Sequence, residues 1–324
     1  MISVFAIPSI INVAHLKQLL DEPNLRTIHM SLTPRLGGVA IFAGFTSAIT
    51  IFGDFDREIQ QVLASCIILF FVGLKDDIIT LSTFKKFFVQ ILAAGIVIFI
   101  GDIRISNFHG FLGWYEVQPG ISYAFSFLVI IGITNAINLI DGLDGLAGSI
   151  TIVITTIFAI FFFNNLVGNS SFYANLGFAL IGGVLGFLRY NFRKAIIFMG
   201  DTGSLVCGFL ISVFAIKFIQ FQYIPSGPAV AVSILILPVV DTTRVFILRI
   251  LKGKSPFSPD KNHIHHILKA KGLNSMQIVA ILSAINIIFF ALVYSLSDLS
   301  SNILMALIAI ISLLLCLLLE WVKK

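Results

Sequence analysis

Residues 135–147 read N-A-I-N-L-I-D-G-L-D-G-L-A and place four polar side chains at the end of an otherwise apolar run. These side chains are Asn135, Asn138, Asp141 and Asp144, spaced three residues apart, with a glycine after each carboxylate. An amide or carboxylate beside hydrocarbon costs free energy unless it has a partner, so such residues in a membrane segment indicate a functional site. We therefore expect a membrane-spanning helix that ends here, at a site for a metal ion or a polar ligand.

The composition of the whole chain excludes a soluble protein. Of the 324 residues, 58% are hydrophobic and only 11% are charged, whereas a soluble domain carries about 25% charged residues. The net charge of +5 does not indicate nucleic-acid binding, because the basic residues are spread over short loops between apolar runs. The three cysteines lie inside apolar runs and indicate neither a disulfide framework nor a zinc site.

The apolar runs have the length of transmembrane helices, which need roughly 20 residues each. We predict an all-α integral membrane protein: a polytopic bundle of about 10–11 transmembrane helices that forms one domain over residues 1–324. The eleventh run, residues 2–14, is shorter than the others. The ten longer predicted spans are 36–52, 59–74, 87–100, 122–140, 145–167, 172–188, 205–221, 229–248, 276–294 and 302–319.

The basic residues predict which loops face the cytosol. Of the 21 Lys and Arg residues, three lie in one alternating set of loops (Arg57, Arg104 and Lys217), and the other 18 lie in the opposite set. Cytoplasmic loops carry the excess of Lys and Arg, so the second set is expected in the cytosol. On the far side, residues 102–118 are rich in Phe, Trp and Tyr and predict a short interfacial hairpin.

Two acidic motifs stand directly at predicted cytosolic span ends. Asp76 and Asp77 are adjacent carboxylates, which repel each other and could hold Mg²⁺ or act as a base, although nearby lysines also suit a solvated span end. Residues 198–205, F-M-G-D-T-G-S-L, place Asp201 between glycines before a span. There Thr202 or Ser204 could cap the helix, whose first amides suit an anion. Asp201 would add an Mg²⁺ ligand, and an ordinary turn is the alternative.

The longest cytosolic loop, within residues 252–273, contains S-P-F-S-P-D-K-N-H-I-H-H at positions 255–266. His263, His265 and His266 have no cysteine or second cluster nearby, whereas structural zinc sites need four ligands. Beside Arg244 and the other cations of this region, the imidazoles suit a polyanion better. A solvated basic loop is the alternative.

Four polar clusters thus face one aqueous compartment, and together they describe a phosphate site at a membrane edge. Mg²⁺ usually takes one or two carboxylates plus substrate phosphates. A secondary transporter is the alternative from another class, and it would need polar groups near the bilayer midplane, often on broken helices. Lys217 and Asp241 are the charges that could lie deep enough for that. A lipid-binding scaffold would leave the acidic motifs unexplained.

These motifs resemble the polyprenyl-phosphate N-acetylhexosamine-1-phosphate transferase family. The similarity runs in family order from D-E-P-N-L-R-T-I-H at 21–29 and P-R-L-G-G at 34–38 to the histidines at 263–266. The resemblance implies transfer of a sugar 1-phosphate from a UDP-sugar to polyprenyl (undecaprenyl) phosphate, with release of UMP. It implies dependence on Mg²⁺, with Mn²⁺ as a substitute, and an active site on the cytosolic face of the inner membrane. At its N-terminus the chain departs from the family, whose first helix is longer.

The histidine pattern His263-Ile264-His265-His266 is similar to the branch that uses UDP-N-acetylglucosamine rather than UDP-MurNAc-pentapeptide. Another UDP-N-acetylhexosamine is the remaining alternative donor. The partners implied are this donor, the lipid acceptor and the bilayer, without nucleic acid and with a homodimer left open. The expected product starts a lipid-linked cell-envelope glycan.

The resemblance also implies roles for individual residues. Asn138 and Asp201 are the expected Mg²⁺ ligands. The expected catalytic carboxylates are Asp76, which keeps the lipid phosphate ionised, its neighbour Asp77, and Asp141 and Asp144. The expected substrate-binding residues are Lys86 for the lipid phosphate, Phe198 for uracil, and Asn135, Arg244, His263, His265 and His266 for the nucleotide, the sugar and its phosphates.

Overall fold

The computed structural model describes residues 1–20, 33–53, 55–255 and 262–323, so the motif at 21–29 and part of the histidine loop lie outside the described residues. The described chain is helical apart from one two-stranded antiparallel hairpin, as expected for the all-α class and for residues 102–118. The elements are α1 (Ile2–Leu16), α2 (Gly37–Phe52), α3 (Arg57–Ile78), α4 (Thr83–Gly95) with a π-helical turn (Ile96–Ile100), β1 (Asn107–Phe111), β2 (Trp114–Glu116), α5 (Pro119–Ile140), α6 (Leu146–Asn164), α7 (Ser170–Asn191), α8 (Gly200–Gln220), α9 (Gly227–Ile234), α10 (Ile236–Leu251), α11 (Ile264–Ala270), α12 (Ser275–Ser295) and α13 (Ser301–Lys323).

The described helices have the lengths of a multi-pass membrane protein. Eight are long and apolar enough to cross a membrane, and α9 with α10 makes a ninth span that bends by 77°. The span predicted for residues 229–248 thus lies on this pair of helices, and the bend within it is an addition from the structure. α1 and α2 are also apolar but have only 15 and 16 residues. Each of the eleven predicted runs lies on one of these helices or on the bent pair.

Helix α8 forms the centre of the bundle. In an apolar 18-residue stretch of α8, 94% of the residues are buried inside the protein, whereas the share in the corresponding stretch of α13 is 11%. Glycines let the neighbouring helices approach α8 closely: a Cβ at Gly208 would lie 2.8 Å from Thr134 of α5, and one at Gly73 of α3 would lie 2.5 Å from Thr202. Small residues allow such close packing of helices in membranes. The N-terminal half of α8 is thereby packed closely against α3 and α5.

A polar cluster ties the far end of α8 to α3. Lys217 Nζ lies 3.0 Å from Oε2 of Glu58 and within 5.1 Å of the ring centroids of Tyr173 and Phe221. Sixteen residues separate Lys217 from Asp201, or about 24 Å along a helix. Lys217 and Glu58, both predicted to lie on the outer side, therefore share one end of the bundle, opposite to Asp201.

The bend between α9 and α10 is held by a buried asparagine of α12. Asn286 accepts the backbone N–H of Leu237 at 3.3 Å and donates to the carbonyl of Ile234 at 3.0 Å. A break in a membrane helix exposes backbone groups that lipid cannot satisfy, so other protein groups must bind them. Asn286 is fully buried and supplies both partners. It thereby sets the direction in which α10 leaves the bundle.

We expect Asn286→Leu to lower the free energy of unfolding by about 2–4 kcal/mol, because two buried backbone groups lose their partners. The measurement is the thermal unfolding midpoint of the purified protein in detergent. Ser283→Ala on the same helix is the matched control, since the Ser283 hydroxyl has no hydrogen-bond partner among the described residues. Equal midpoints for the two variants would contradict this role of Asn286.

A candidate site at the start of helix α8

A lysine of α4 joins carboxylates from two other helices. Lys86 Nζ lies 3.2 Å from Oδ2 of Asp76, near the end of α3, and 2.7 Å from Oδ2 of Asp201, in the first turn of α8. The other oxygen of Asp76 accepts the backbone N–H of Leu81 at 2.7 Å, which orients this carboxylate. All three charged side chains stay partly exposed, by 11–24%. The structure thus brings together three predicted site residues that are far apart in sequence.

The neighbouring carboxylate, Asp77, binds the N-terminus of α8. Its Oδ1 accepts the backbone N–H of Asp201 at 2.8 Å, and its Oδ2 accepts both the N–H of Thr202, at 2.9 Å, and the Thr202 hydroxyl. The first amides of a helix lack partners within the helix and carry positive partial charge, which an anion complements. The predicted cap by Thr202 or Ser204 was wrong, because α8 begins at Gly200 and no side chain of its own caps it. The anion at this helix start is a residue of the protein.

The two asparagines of α5 have different partners. Asn138 donates from Nδ2 to Oδ1 of Asp201 at 3.1 Å and to the hydroxyl of Ser204 at 2.8 Å, and so belongs to the cluster at α8. Asn135 lies nearly one turn deeper and exchanges hydrogen bonds with Gln90 of α4, with a shortest distance of 2.7 Å. Asn138 thus contacts Asp201, the other predicted Mg²⁺ ligand, and its role as a metal ligand stays a prediction. The placement of Asn135 instead links α5 to α4.

Asp141 ends α5 beside the turn that starts α8. Burial, together with the nearby Asp201 and Asp77 carboxylates, raises the pKa of its carboxyl to about 7, although the hydrogen bond from the backbone N–H of Gly200 lowers it. Gly200 has φ +71°, a left-handed conformation that glycine adopts without strain. A side chain at this position would also collide with the carbonyl oxygen of Arg35. The tight turn at Gly200 thus brings Asp141 next to the carboxylates of α3 and α8.

Asp144 joins the loop before α6 to the loop before α8 through a hydrogen bond. Its Oδ2 accepts the backbone N–H of Ala195 at 3.3 Å, from the segment that joins α7 to α8. Asn191 links the same two loops, because it accepts the N–H of Gly145 and donates to the carbonyl of Ile197, each at 2.8 Å. These bonds hold the start of α6 against the approach to α8. The catalytic role predicted for Asp144 stays a prediction.

The P-R-L-G-G motif pairs with the approach to α8 through its backbone. Phe198 donates its N–H to the carbonyl of Pro34, and the N–H groups of Gly37 and Gly38 bond to the carbonyls of Phe198 and Met199, each at 2.8 Å. A side chain at Gly38 would overlap the backbone of α8. The motif is thus packed directly beside the site. The side chain of Phe198 is half-buried there, and its stacking on uracil stays a prediction.

The histidine segment, residues 262–266, contacts the cluster at Gly142. A Cβ at Gly142 would lie 2.7 Å from Nε2 of His265, so the imidazole packs against this turn where only glycine leaves room. His265 is 2% exposed, and its Nε2 has no hydrogen-bond partner among the described residues. Burial lowers the pKa of its imidazole to about 3, helped by the adjacent His266 and by His263. His265 is therefore a neutral imidazole beside the carboxylate motif of α5.

Arg244 does not reach this cluster with a free guanidinium. It donates to the carbonyl oxygen of Asn262 and to Oε1 of Glu320, each at 2.8 Å, and is 6% exposed. His263 likewise bonds to a protein carboxylate, with its Nδ1 2.9 Å from Oδ2 of Asp241. Both Arg244 and His263 are thus bound by groups of the protein, and the substrate contacts predicted for Arg244 and for His265 stay predictions.

The cluster has the chemistry of an Mg²⁺ site completed by a ligand. Mg²⁺ prefers hard oxygen ligands, and usually takes one or two carboxylates together with substrate phosphates. Asp76 and Asp201 supply two carboxylates, the ammonium of Lys86 already serves as the positive charge between them, and Asn138 adds an amide. In the part of the chain that the structure describes, no group of three or more His, Cys, Asp or Glu side chains could hold a metal ion. The residues present thus fit Mg²⁺ only with oxygen atoms supplied by substrate.

Sequence reasoning missed several residues that orient the site. Gln90 lies inside the predicted span 87–100, so its amide beside hydrocarbon was the available signal. Asn191 and Glu320 stand at helix ends, where polar residues are common, and the sequence gives no reason to single them out. Their importance appears only through the partners that the fold brings to them.

Comparison with known proteins identifies relatives over most of the chain. The profile of glycosyl transferase family 4 matches residues 59–219, from within α3 to near the end of α8. The chain is 35% identical over 277 residues to the probable undecaprenyl-phosphate N-acetylglucosaminyl 1-phosphate transferase of Bacillus subtilis (strain 168), covering 83% of this chain and 75% of that protein. It is similar to the undecaprenyl-phosphate alpha-N-acetylglucosaminyl 1-phosphate transferases of Escherichia coli (strain K12), at 32% identity, and Yersinia pestis, at 31%. Each alignment covers 80% of this chain and 71% or 72% of the relative.

We expect Asp77→Asn to lower the free energy of unfolding by about 2–3 kcal/mol, because a neutral amide replaces the charged acceptor at the start of α8. One side of this amide would also present N–H groups to the N–H of Thr202. Thermal unfolding in detergent measures the change, with Glu116→Gln on the exposed strand β2 as the matched control. A midpoint as high as that of the control would show that Asp77 does not stabilise the helix start.

Proposed function

The chain belongs to glycosyl transferase family 4, and from this premise we propose that it transfers N-acetylglucosamine 1-phosphate from UDP-N-acetylglucosamine to undecaprenyl phosphate, releasing UMP. The named activities of the relatives support this reaction. The observation that carries the proposal is the group of Asp76, Lys86 and Asp201 at one end of an apolar bundle. A membrane lipid phosphate and a soluble nucleotide could meet at such a place.

The negative charges of the two substrates determine what the proposed site must provide. Two unit charges at about 4 Å repel by about 4 kcal/mol at an effective dielectric constant near 20, so two phosphorylated substrates need a compensating cation. Asn138 and Asp201 are the side chains that would hold Mg²⁺, which when bound neutralises the diphosphate and stabilises the departing UMP. Lys86 adds a second cation, and we assign to it the phosphate of the lipid.

The carboxylates and histidines divide the remaining roles. Asp76, oriented by the N–H of Leu81, is the base that keeps the lipid phosphate ionised. An oxygen of that phosphate attacks the phosphorus that bears the sugar, and the bond from this phosphorus to UMP breaks. His265 lies at the Gly142 turn, where it would bind the donor. Asp77 fixes the start of α8 and so holds Asp201 in place.

The proposed orientation follows from the loops. The site lies at the bundle end opposite to the Glu58–Lys217 pair, which belongs to the loops that are poor in Lys and Arg. By the positive-inside rule, the site then faces the cytosol, where nucleotide sugars are available. We therefore place the protein in the cytoplasmic membrane, with the active site on its inner face.

A transporter is the second candidate, because α9 and α10 form a broken helix of the kind that transporters use. In those proteins the break binds substrate. Here Asn286 bonds to the backbone on both sides of the break. The charged side chain that follows, Asp241, bonds to His263. These contacts favour a structural bend over a transport site.

The direct test is UMP release by the purified protein in detergent. We expect release from UDP-N-acetylglucosamine that requires both undecaprenyl phosphate and Mg²⁺, and that Mn²⁺ partly supports. A panel of other UDP-N-acetylhexosamines tests the choice of sugar in the same assay. Absence of release from every donor by folded protein would refute the enzyme assignment.

We expect Asp201→Asn to abolish turnover, with a loss of at least about 100-fold in kcat, because the change removes a charged ligand and the partner of Lys86. The unfolding midpoint should change little, since the N–H of residue 201 still bonds to Asp77. Asp298→Asn in an exposed outer loop is the matched control. Retained turnover of Asp201→Asn at saturating Mg²⁺ would remove Asp201 from the proposed metal site.

A further inference from the structure

One buried carboxylate of α10 binds the histidine segment through two hydrogen bonds. Oδ2 of Asp241 lies 2.9 Å from Nδ1 of His263, and Oδ1 accepts the backbone N–H of Ile264 at 2.9 Å. Asp241 is 3% exposed and His263 is 4% exposed. A single side chain thus fixes both the imidazole of one residue and the backbone of the next.

A second side chain of α10 holds the residue before this pair. Arg244, one turn after Asp241, donates from Nη1 to the carbonyl of Asn262 and lies 3.7 Å from Oδ1 of Asp241. Its Nη2 donates to Glu320 near the end of α13. Residues 262, 263 and 264 are therefore each held by a charged side chain, and the last helix of the described chain supports one of these charges.

This arrangement is too costly to be incidental. Burying an aspartate and an arginine costs several kcal/mol for each ion unless their hydrogen bonds are satisfied. Here the bonds go to consecutive backbone and side-chain groups of residues 262–264, directly before and at the start of the seven-residue helix α11. The direction of α10 is itself set at the 77° bend. The position of the histidines is thus coupled to a fixed element of the bundle.

The contact also decides which nitrogen of His263 carries the proton. A carboxylate only accepts hydrogen bonds, so Nδ1 must be the protonated nitrogen that faces Asp241. In the neutral imidazole, Nε2 is then the lone-pair nitrogen. Two residues later, His265 packs on Gly142, and the rings of His263 and His265 lie 5.9 Å apart and nearly parallel. A change at Asp241 would therefore be transmitted to the imidazole at the site.

We propose that Asp241, Arg244 and Glu320 are positioning residues: they hold the histidine segment against the Gly142 turn, and Asp241 fixes the tautomer of His263. This inference rests on the proposed function insofar as the histidines bind the UDP-sugar. Arg244, predicted from the sequence to contact the substrate, instead acts by holding the histidine segment in position.

The test compares Asp241→Asn with the exposed control Asp298→Asn in the full-length protein. We expect the KM for UDP-N-acetylglucosamine to rise about 10- to 100-fold, as when a carboxylate that orients a functional imidazole is lost. The KM for undecaprenyl phosphate should stay within about twofold, because the Asp76–Lys86 pair is untouched. Equal increases in both KM values, or no increase in either, would overturn the positioning role.

A spectroscopic measurement tests the tautomer without relying on activity. In protein labelled with ¹⁵N-histidine at pH 8, we expect the His263 ring to be protonated at Nδ1, and the His263→Gln variant assigns its signals. In Asp241→Asn the proton should move to Nε2, since an amide N–H would then face Nδ1. Identical His263 signals in the wild type and in Asp241→Asn would refute the tautomer assignment.

A milder variant covers the case in which Asp241→Asn does not fold. Glu320→Gln keeps the shape of the partner of Arg244 and removes its charge at a half-exposed position. We expect a smaller rise in the donor KM, about 3- to 10-fold, with an unchanged unfolding midpoint. An unchanged donor KM would exclude Glu320 from the network. If the wild type itself releases no UMP, the proposed function fails, and the histidine spectra alone then decide the tautomer assignment.

Discussion

The bonds between Asp77 and the first amides of α8 are the interaction on which the arrangement of the site depends. They join the end of α3 to the start of α8, and they offset the partial positive charge of a helix terminus with a carboxylate. Because Asp76 precedes Asp77 and Asp201 lies in the first turn of α8, the same contact sets the distance between the two carboxylates that Lys86 joins. The cluster is therefore built around one helix terminus, which α2 approaches through Gly38 and α3 approaches through Gly73.

The charged groups of this protein fall into two kinds, distinguished by their partners. Asp77 and Asp241 accept hydrogen bonds at both carboxylate oxygens, and Arg244 donates from both terminal nitrogens, because burial of a charge in an apolar bundle requires such partners. Asp76, Lys86 and Asp201 are partly exposed and share one ammonium between two carboxylates, so a ligand can replace their contacts with one another. The first kind fixes geometry, and the second kind supplies the groups to which we assign the proposed chemistry.

The bundle separates these roles in space as well. The α8 helix is apolar between its ends, with a carboxylate cluster at one end and the Lys217–Glu58 pair at the other. Near the histidine segment, Asn286 holds the bend between α9 and α10. Helix α10 in turn carries the side chains that bind residues 262–264. The helical bundle thus positions two loops, and the candidate site lies where these loops meet.

The sequence by itself determined the class, the positions of the helices and the end of the bundle at which the polar motifs gather. The length of each apolar run determines whether it can cross the bilayer, and the distribution of Lys and Arg determines which loops face the cytosol. Both can be read from short stretches of the chain without knowledge of its tertiary contacts. Only the tertiary structure decided the partners: Asp77 as the cap of α8, Asn135 with Gln90, Arg244 with Glu320, and the break at Asn286. These pairs join residues distant in sequence, and a buried polar group reveals that it needs a partner without revealing which one. The motifs therefore predicted a candidate site, whereas the packing of helices around α8 assigned each polar residue its contacts.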